Sequence, residues 1–339
     1  MKKTRVLVVD DSAFARKVVR ESLSTHEAIE VVATASDGID ALEKIAALDP
    51  DVVTLDLVMP NLDGLGVLKA LPEERRRRVV IVSMADGESE LGVAALAAGA
   101  FELVHKPTAL AIDSLRDIAG ELVEKVLLAG SMPLRAEAEP VGAEPMRPVA
   151  ASERVVLIGT STGGPQALTR LITALPADFP APVVIVLHIP RGYTEALAAR
   201  LDAQSALDVV EAREGLVLRP GLAVVALAGM HLYLVANAGK TRVHLDVAPI
   251  TSAHRPSVDV LFESAARILG RRALGVVLTG MGDDGLAGSR AIVQAGGTVL
   301  TEAESSCVVY GMPRVVKEAG LSAGEAPLAA MAAKIAEQL

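Results

Sequence analysis

Aromatic residues and cysteine are scarce in this chain of 339 residues. Tryptophan is absent and aromatic residues make up only 2% of the sequence, although 51% of the residues are hydrophobic. The hydrophobic cores must therefore be built from alanine, valine, leucine and isoleucine. Cys307 is the only cysteine, so no internal disulfide can form, which favours a reducing compartment.

The sequence also lacks a membrane span and a basic surface. The longest uncharged run, residues 220–239, contains a proline and three glycines, so strands and turns are predicted there and not a transmembrane helix. No basic, apolar leader opens the chain. Basic and acidic residues number 17 and 25 before residue 153, and 16 and 17 from there on, without the basic excess of nucleic-acid binders. We expect a cytoplasmic protein with no nucleic-acid partner and no membrane insertion.

Length and local composition divide the chain into two predicted domains. A domain has roughly 150 residues on average, so this length suggests two. Residues 130–152 contain four prolines and two glycines and have no apolar period, as is typical of a semi-extended tether. The predicted boundaries are therefore 1–129 for the first domain, 130–152 for the linker and 153–339 for the second domain.

The first domain alternates strand-like and helix-like segments. Ser12, Asp37 and Ser114 are predicted helix starts. Because each strand is followed by a helix, one doubly wound parallel sheet is predicted. The predicted strands are residues 5–9, 30–35, 52–55, 79–82 and 101–104.

Polar residues follow four of these strands. Asp10 and Asp11 follow the first strand and Asp56 the third, so three carboxylates are expected in one pocket, where their repulsion calls for a cation. Oxygen ligands in this small number suit Mg²⁺. Ser83 and Lys106 follow the fourth and fifth strands and offer a hydroxyl and an ammonium to a phosphoryl group. Taken singly, each residue is also compatible with an ordinary helix cap or loop.

The five residues occur in a pattern that resembles response-regulator receiver domains. The motifs are D-D at 10–11, D-L-V-M-P-N-L-D-G at 56–64, Ser83, and K-P at 106–107. The resemblance implies that Asp56 is the phospho-acceptor, that Asp10 and Asp11 join it in binding Mg²⁺, and that Ser83 and Lys106 are switch residues. Receivers commonly have an aromatic residue where this chain has Leu103, so the switch is expected to use other parts of the face around the fourth helix.

In the second domain, a glycine-rich turn carries Ser161. An apolar strand is predicted at residues 155–158 and a helix from Pro165, with glycines on both sides of the serine. Residues 159–163 fit the G-x-S-x-G nucleophile pattern. A plain strand-to-helix turn is an alternative, and so is a phosphate cradle, although the P-loop lysine is missing.

A base and an acid for Ser161 are found after two further predicted strands. The strand at 183–187 ends in His188, a candidate general base. The strand at 275–278 leads into the loop 279–285, where Asp284 could orient the imidazole.

A hydrolase-like residue order is the alternative. The α/β-hydrolases have the order serine, acid, histidine, but no histidine follows Asp284. That order would take its acid from a predicted helical stretch, residues 194–208. It would use Asp202 or Asp208 together with His231, His244 or His254.

Residues 154–320 resemble the catalytic domain of the chemotaxis-receptor methylesterases, the CheB family. The resemblance implies that Ser161, His188 and Asp284 are nucleophile, base and orienter, and that the Met281 N–H stabilises the oxyanion. It gives Cys307 no catalytic role. The matching motifs are G-T-S-T-G-G at 159–164, H-I-P at 188–190, H-R-P-S-V-D-V-L-F at 254–262, T-G-M-G-D-D-G at 279–285 and S-C-V-V-Y-G-M-P at 306–313.

The two resemblances together imply a doubly wound α/β architecture in both domains and a regulated enzyme. The implied reaction is hydrolysis of glutamate methyl esters on chemoreceptor helices, with deamidation of receptor glutamines as a related activity. A chemotaxis histidine kinase would supply the phosphoryl group, and the receiver would inhibit the second domain until Asp56 is phosphorylated. Mg²⁺ would serve the receiver alone, with no cofactor for the esterase. Two rivals are a serine esterase acting on small esters and a non-catalytic signalling adaptor.

Overall fold

The computed structural model describes residues 3–76, 78–83, 89–106, 114–131 and 152–339. These residues form two compact units, one on each side of residues 132–151. Most of the predicted linker lies outside the described residues, as does Pro107 of the K-P motif. The two residues that open the predicted linker belong to the last helix of the first unit, which ends at Ser131.

The first unit is a five-stranded sheet whose strands are all parallel. Its strand order is β2-β1-β3-β4-β5. All five predicted strands are confirmed within one residue at each end. The elements are β1 (Thr4–Val9), α1 (Ala13–Ser24), β2 (Ile29–Ala35), α2 (Gly38–Leu48), β3 (Val52–Leu55), α3 (Gly64–Ala70), α4 (Glu73–Arg76), β4 (Val79–Ser83), α5 (Ser89–Ala97), β5 (Glu102–His105) and α6 (Ser114–Ser131).

Side-chain caps explain where the first two helices begin. The Ser12 hydroxyl accepts a hydrogen bond from the Ala15 N–H before α1. The Asp37 carboxylate accepts two backbone N–H groups before α2. Each cap pairs backbone donors that the first turn of a helix leaves free. Both predicted helix starts are confirmed, and α6 begins at Ser114.

The second unit is a seven-stranded parallel sheet with the order β14-β13-β12-β6-β7-β9-β8. An antiparallel hairpin, β10–β11, lies outside this sheet. The elements are β6 (Val155–Thr160), α7 (Gly164–Thr173), β7 (Val183–Leu187), α8 (Thr194–Gln204), β8 (Asp208–Glu211), β9 (Leu222–Val225), β10 (His231–Asn237), β11 (Lys240–Asp246), α9 (Val258–Leu269), β12 (Ala273–Val277), α10 (Leu286–Gln294), β13 (Thr298–Glu302), α11 (Met312–Glu318), β14 (Gly324–Ala326) and α12 (Leu328–Ala336), with a 3₁₀ turn at Gly270–Arg272.

Two features of this unit differ from the expectation or extend it. Residues 194–208 are not one helical stretch, because α8 ends at Gln204 and Asp208 opens β8, which pairs with β9. Residues 208–211 form a strand because they pair with β9, which lies later in the chain. The sequence pattern within residues 194–208 does not contain this partner, so it does not reveal the strand. Residues 220–239 form strands and turns as predicted, since β9 and the first strand of the hairpin both lie there.

The centre of the second sheet positions the candidate site. Strands β6, β7 and β12 are neighbours and are buried along their whole length. Burial on both faces explains why these strands read as continuous apolar runs. Their carboxyl ends meet at one edge, which is where open α/β sheets bind ligands. Over the described part of the chain, no helix combines the length and the apolar character needed to cross a bilayer.

Candidate active site

Ser161 lies on a tight turn between β6 and α7. Its backbone N–H donates to the Thr279 carbonyl, 3.1 Å away on the neighbouring strand end. Thr160 donates its hydroxyl to the same carbonyl at 2.7 Å. Gly163 caps α7 with a φ of 79°, a left-handed conformation that glycine adopts without strain. The turn is therefore anchored on both sides of the serine.

Gly280 brings a second loop against Ser161. A Cβ atom at position 280 would lie 2.9 Å from Ser161 Cβ and 2.3 Å from Met312 Sδ. The next residue, Met281, is exposed, and its backbone N–H has no acceptor within the described ranges. The absence of a side chain at 280 thus lets a free backbone donor lie beside the serine turn.

His188 follows β7, directly beside Ser161 in the sheet. Thr160 pairs with Leu187, and the His188 N–H donates to the Thr160 carbonyl at 3.2 Å. The His188 side chain is 10% exposed, and its Nε2 lies 2.8 Å from Asp284 Oδ2. Nδ1 is buried and has no hydrogen-bond partner among the residues that the structure describes, so it is not bonded to the Ser161 hydroxyl. Such bonds often shorten only when substrate binds.

Asp284 is held by four donors at the beginning of α9. Oδ2 accepts from His188 Nε2 and from the Val258 N–H, each at 2.8 Å. Oδ1 accepts from the Ser257 hydroxyl and from the Asp259 N–H, each at 2.9 Å. Burial alone would raise the pKa of Asp284, but the bond to His188 and the backbone N–H groups outweigh it and lower the pKa to about 2. The group is therefore an anion at neutral pH.

The ionised carboxylate assigns the tautomer of His188. A carboxylate can only accept hydrogen bonds, so His188 Nε2 must carry the proton that points at Asp284. In the neutral imidazole, Nδ1 is therefore the nitrogen that has a lone pair available. A neutral imidazole in this state, with its other nitrogen fixed by an anion, is suited to act as a general base.

The structure brings together Ser161, His188 and Asp284, and it places the acids of the alternative order elsewhere. Asp202 accepts from the Val209 N–H, and Asp208 pairs with Arg219. His231 bonds to the Pro249 carbonyl and His244 pairs with Glu214, both on the hairpin. Of the three later histidines, His254 alone reaches the site, where it stacks on His188.

Three further polar residues support the site, although no role was predicted for them from the sequence. Ser257 bonds Asp284, and Asp259 accepts from the Gly285 and Gly288 N–H groups. Burial raises the pKa of Asp259 to about 6, against the effect of those two donors. Ser257 and Asp259 lie in the H-R-P-S-V-D-V-L-F motif at 254–262, so the match of this motif is the sequence signal that could have identified them. Glu302, buried at the end of β13, accepts from the Thr279 N–H.

In the first unit, the predicted acidic residues do form one pocket. One carboxylate oxygen from each of Asp10, Asp11 and Asp56 lies within 4.8 Å of the others. Asp10 and Asp56 are buried, whereas Asp11 is exposed. Three carboxylates this close, all with oxygen donors, fit a divalent cation such as Mg²⁺.

Lys106 bridges the two buried carboxylates. Its Nζ lies 2.8 Å from Asp10 Oδ2 and 2.8 Å from Asp56 Oδ2. Burial lowers the pKa of Lys106, but the hydrogen bonds to the two carboxylates outweigh burial and raise it overall. The Lys106 N–H also donates to the carbonyl of Ser83, which is buried at the end of β4. Leu103 is fully buried in β5, and as a leucine it has no aromatic ring that could rotate.

Comparison with known proteins gives a family for each of the two units. The CheB methylesterase family model matches residues 156–335, and the response regulator receiver domain model matches residues 6–117. The chain belongs to the CheB methylesterase family. Protein-glutamate methylesterase/protein-glutamine glutaminase 5 of Myxococcus xanthus is 62% identical over 97% of this chain and 96% of its own length. A Geobacillus kaustophilus protein named protein-glutamate methylesterase/protein-glutamine glutaminase is 44% identical over 99% of both chains.

A solved structure supports the fold of the second unit. The crystal structure of the Thermotoga maritima CheB methylesterase catalytic domain has a TM-score of 0.54 and 41% identity, and it covers 56% of this chain and 100% of its own. The fold prediction is therefore confirmed. The Thr160 hydroxyl is held by its bond to the Thr279 carbonyl, whereas the Asp283 side chain is exposed.

Proposed function

We propose that this protein hydrolyses glutamate γ-methyl esters on chemoreceptor helices, releasing methanol, under the control of its receiver domain. The observation that carries the proposal is the bond from His188 to the ionised Asp284, directly beside Ser161. The names of the relatives supply the substrate class. Deamidation of receptor glutamines follows as a second activity, since the same attack on an amide releases ammonia.

The reaction begins at the Ser161 hydroxyl. His188 Nδ1 takes its proton as Oγ attacks the ester carbonyl carbon, and Asp284 stabilises the imidazolium that forms. The carbonyl oxygen becomes an oxyanion, and its proposed donor is the backbone N–H of Met281, which follows Gly280 beside Ser161 and has no acceptor among the described residues. One such donor is typically worth about 3–4 kcal/mol in the transition state.

The remaining steps return the enzyme to its starting state. His188 passes the proton to the leaving methoxide, so methanol departs and an acyl ester on Ser161 remains. Water, deprotonated by His188, then attacks this ester and releases the glutamate side chain. The proton goes back to Ser161, and the chemistry uses no cofactor.

The receiver domain is proposed to switch this activity. Asp56 is the phospho-acceptor, and Asp10, Asp11 and Asp56 would hold Mg²⁺, which would supply positive charge to the phosphoryl group. Lys106 already contacts Asp56 and, with Ser83, responds to the added charge of about −1.5 to −2. The phosphodonor is a chemotaxis histidine kinase in the cytoplasm, and the unphosphorylated receiver inhibits the second domain.

Methanol release from methylated receptor membranes tests the proposal. The full-length protein, Ser161→Ala, His188→Ala and the control His244→Ala are each assayed with a phosphodonor and Mg²⁺, and p-nitrophenyl acetate serves as a small ester. We expect release by the unsubstituted protein and His244→Ala only. Turnover of the small ester without methanol release would indicate a general esterase. No turnover of either ester would favour the adaptor.

A further inference from the structure

We infer that His254 is a positioning residue, whose imidazole covers one face of His188 and holds that ring in the orientation needed for proton transfer. This inference rests on the proposed function, because it assigns a partner to the proposed base. Nothing in the chemistry above uses His254. Its place in the fold nevertheless puts an unexplained titratable ring in contact with the reacting group.

The two rings are stacked. The centroids of His188 and His254 lie 4.0 Å apart, and the ring planes are only 16° from parallel. The bond from Nε2 to Asp284 fixes one point of the His188 ring but allows rotation about that bond. A flat ring at van der Waals distance blocks this rotation on one side. Together the two contacts define the ring plane, and therefore the direction of the Nδ1 lone pair.

The backbone around His254 is itself anchored. Ser252 donates its hydroxyl to the His254 carbonyl at 2.9 Å. The following residue, Arg255, accepts from the Gly229 N–H at 2.9 Å, and its guanidinium donates to the Ile250 carbonyl. Because these bonds hold the segment just before α9, the backbone that carries the His254 ring is fixed in place.

Burial is the main reason why the pKa of His254 lies below its ordinary value, so the ring is neutral at neutral pH. The positive charge that His188 acquires lowers this pKa further. Asp284 and Asp283 act in the opposite direction and do not offset this effect. A neutral ring is what the reaction needs at this place, because a second cation stacked on His188 would oppose imidazolium formation.

Two variants separate the stacked face from the imidazole nitrogens. His254→Ala removes the ring, and we expect kcat to fall about 10-fold to 100-fold, at or below the lower end of what a positioned base contributes, while KM changes less than about twofold. His254→Phe keeps a flat ring of similar size without titration, and we expect kcat within about threefold of the unsubstituted protein. His244→Ala, a hairpin histidine, is the matched control. His254→Gln replaces the alanine variant if that one does not fold.

The assays use the full-length protein with p-nitrophenyl acetate and with methylated receptor membranes, and thermal unfolding checks folding. The loss of kcat must appear with both esters. Adding His254→Ala to His188→Ala must not lower the residual rate on p-nitrophenyl acetate any further, since His254 acts through His188. The inference is overturned if folded His254→Ala keeps its kcat, if His254→Phe is as slow as the alanine variant, or if the loss persists without His188. An active Ser161→Ala would instead overturn the proposed function.

Discussion

Replacing Asp284 by asparagine removes a charge and one acceptor while keeping the size of the side chain. In the structure both carboxylate oxygens accept from a backbone N–H, Val258 at Oδ2 and Asp259 at Oδ1. Whichever way the amide lies, its NH₂ group therefore faces a donor. If NH₂ faces His188, the tautomer is reversed and Nδ1 carries the proton. If the oxygen faces His188, the tautomer is kept but the charge that stabilises the imidazolium is gone.

The expected loss of kcat is about 10⁴-fold, the cost of the equivalent change in a serine–histidine–aspartate triad. Stability falls as well. The pKa of Asp284 is lowered from 3.8 to about 2, and each unit is worth about 1.4 kcal/mol. The ionised group therefore contributes about 2 kcal/mol, which is present above pH 3.8 and is lost as the pH falls through 2. For a domain of this size, Tm should drop by about 4–8 °C.

Asp283→Asn is the matched control, since the neighbouring side chain is exposed and no described donor binds it. Both variants are compared by initial rates on p-nitrophenyl acetate and by calorimetry of the full chain. The reasoning is refuted if Asp284→Asn keeps more than about a tenth of the rate, far above the residual expected for a triad. It is also refuted if Asp283→Asn is equally slow, because the wrong acid would then have been assigned.

Three further predictions concern the loop beside Ser161 and the receiver domain. Gly280→Ala should lower kcat at least about 10-fold, because its Cβ would press on Ser161. As a control, an added Cβ at the helical Gly120 meets nothing within 4 Å, so Gly120→Ala should leave initial rates unchanged. Normal turnover by Gly280→Ala would contradict the close approach of the two loops. Asp56→Ala should abolish activation by a phosphodonor with Mg²⁺, as measured by methanol release. Chelation of Mg²⁺ should abolish the activation of the unsubstituted protein. If Asp56→Ala is still activated, Asp56 is not the phospho-acceptor. Deleting residues 1–152 should raise basal activity, whereas a folded fragment that is no more active than the unphosphorylated full chain would rule out inhibition by the receiver.

The central strands were predictable because their signal is local. Residues 183–187 are five consecutive apolar residues, four of them valine or isoleucine and the last leucine, and this run became β7 without a change of bounds. Candidate residues could be placed because they follow such strands. The parallel register then puts Ser161 and His188 side by side.

The support around Asp284 was not predictable in the same way. Ser257 and Asp259 reach this part of the chain from 27 and 25 residues away respectively, and no local periodicity encodes such a contact. The stack of His254 on His188 joins residues that are still more remote in sequence. No hairpin was predicted for β10 and β11, which pair with each other outside the main sheet.

The most direct test of the account is the identity of the nucleophile. The full-length protein is treated with a fluorophosphonate, which reacts with activated serines, and the modified residue is located by peptide mass spectrometry. The account predicts one adduct, on Ser161, that is lost in Ser161→Ala and forms at least about 100-fold more slowly in His188→Ala, which lacks the general base. An adduct on another serine, or labelling of Ser161 at an undiminished rate in His188→Ala, would contradict it.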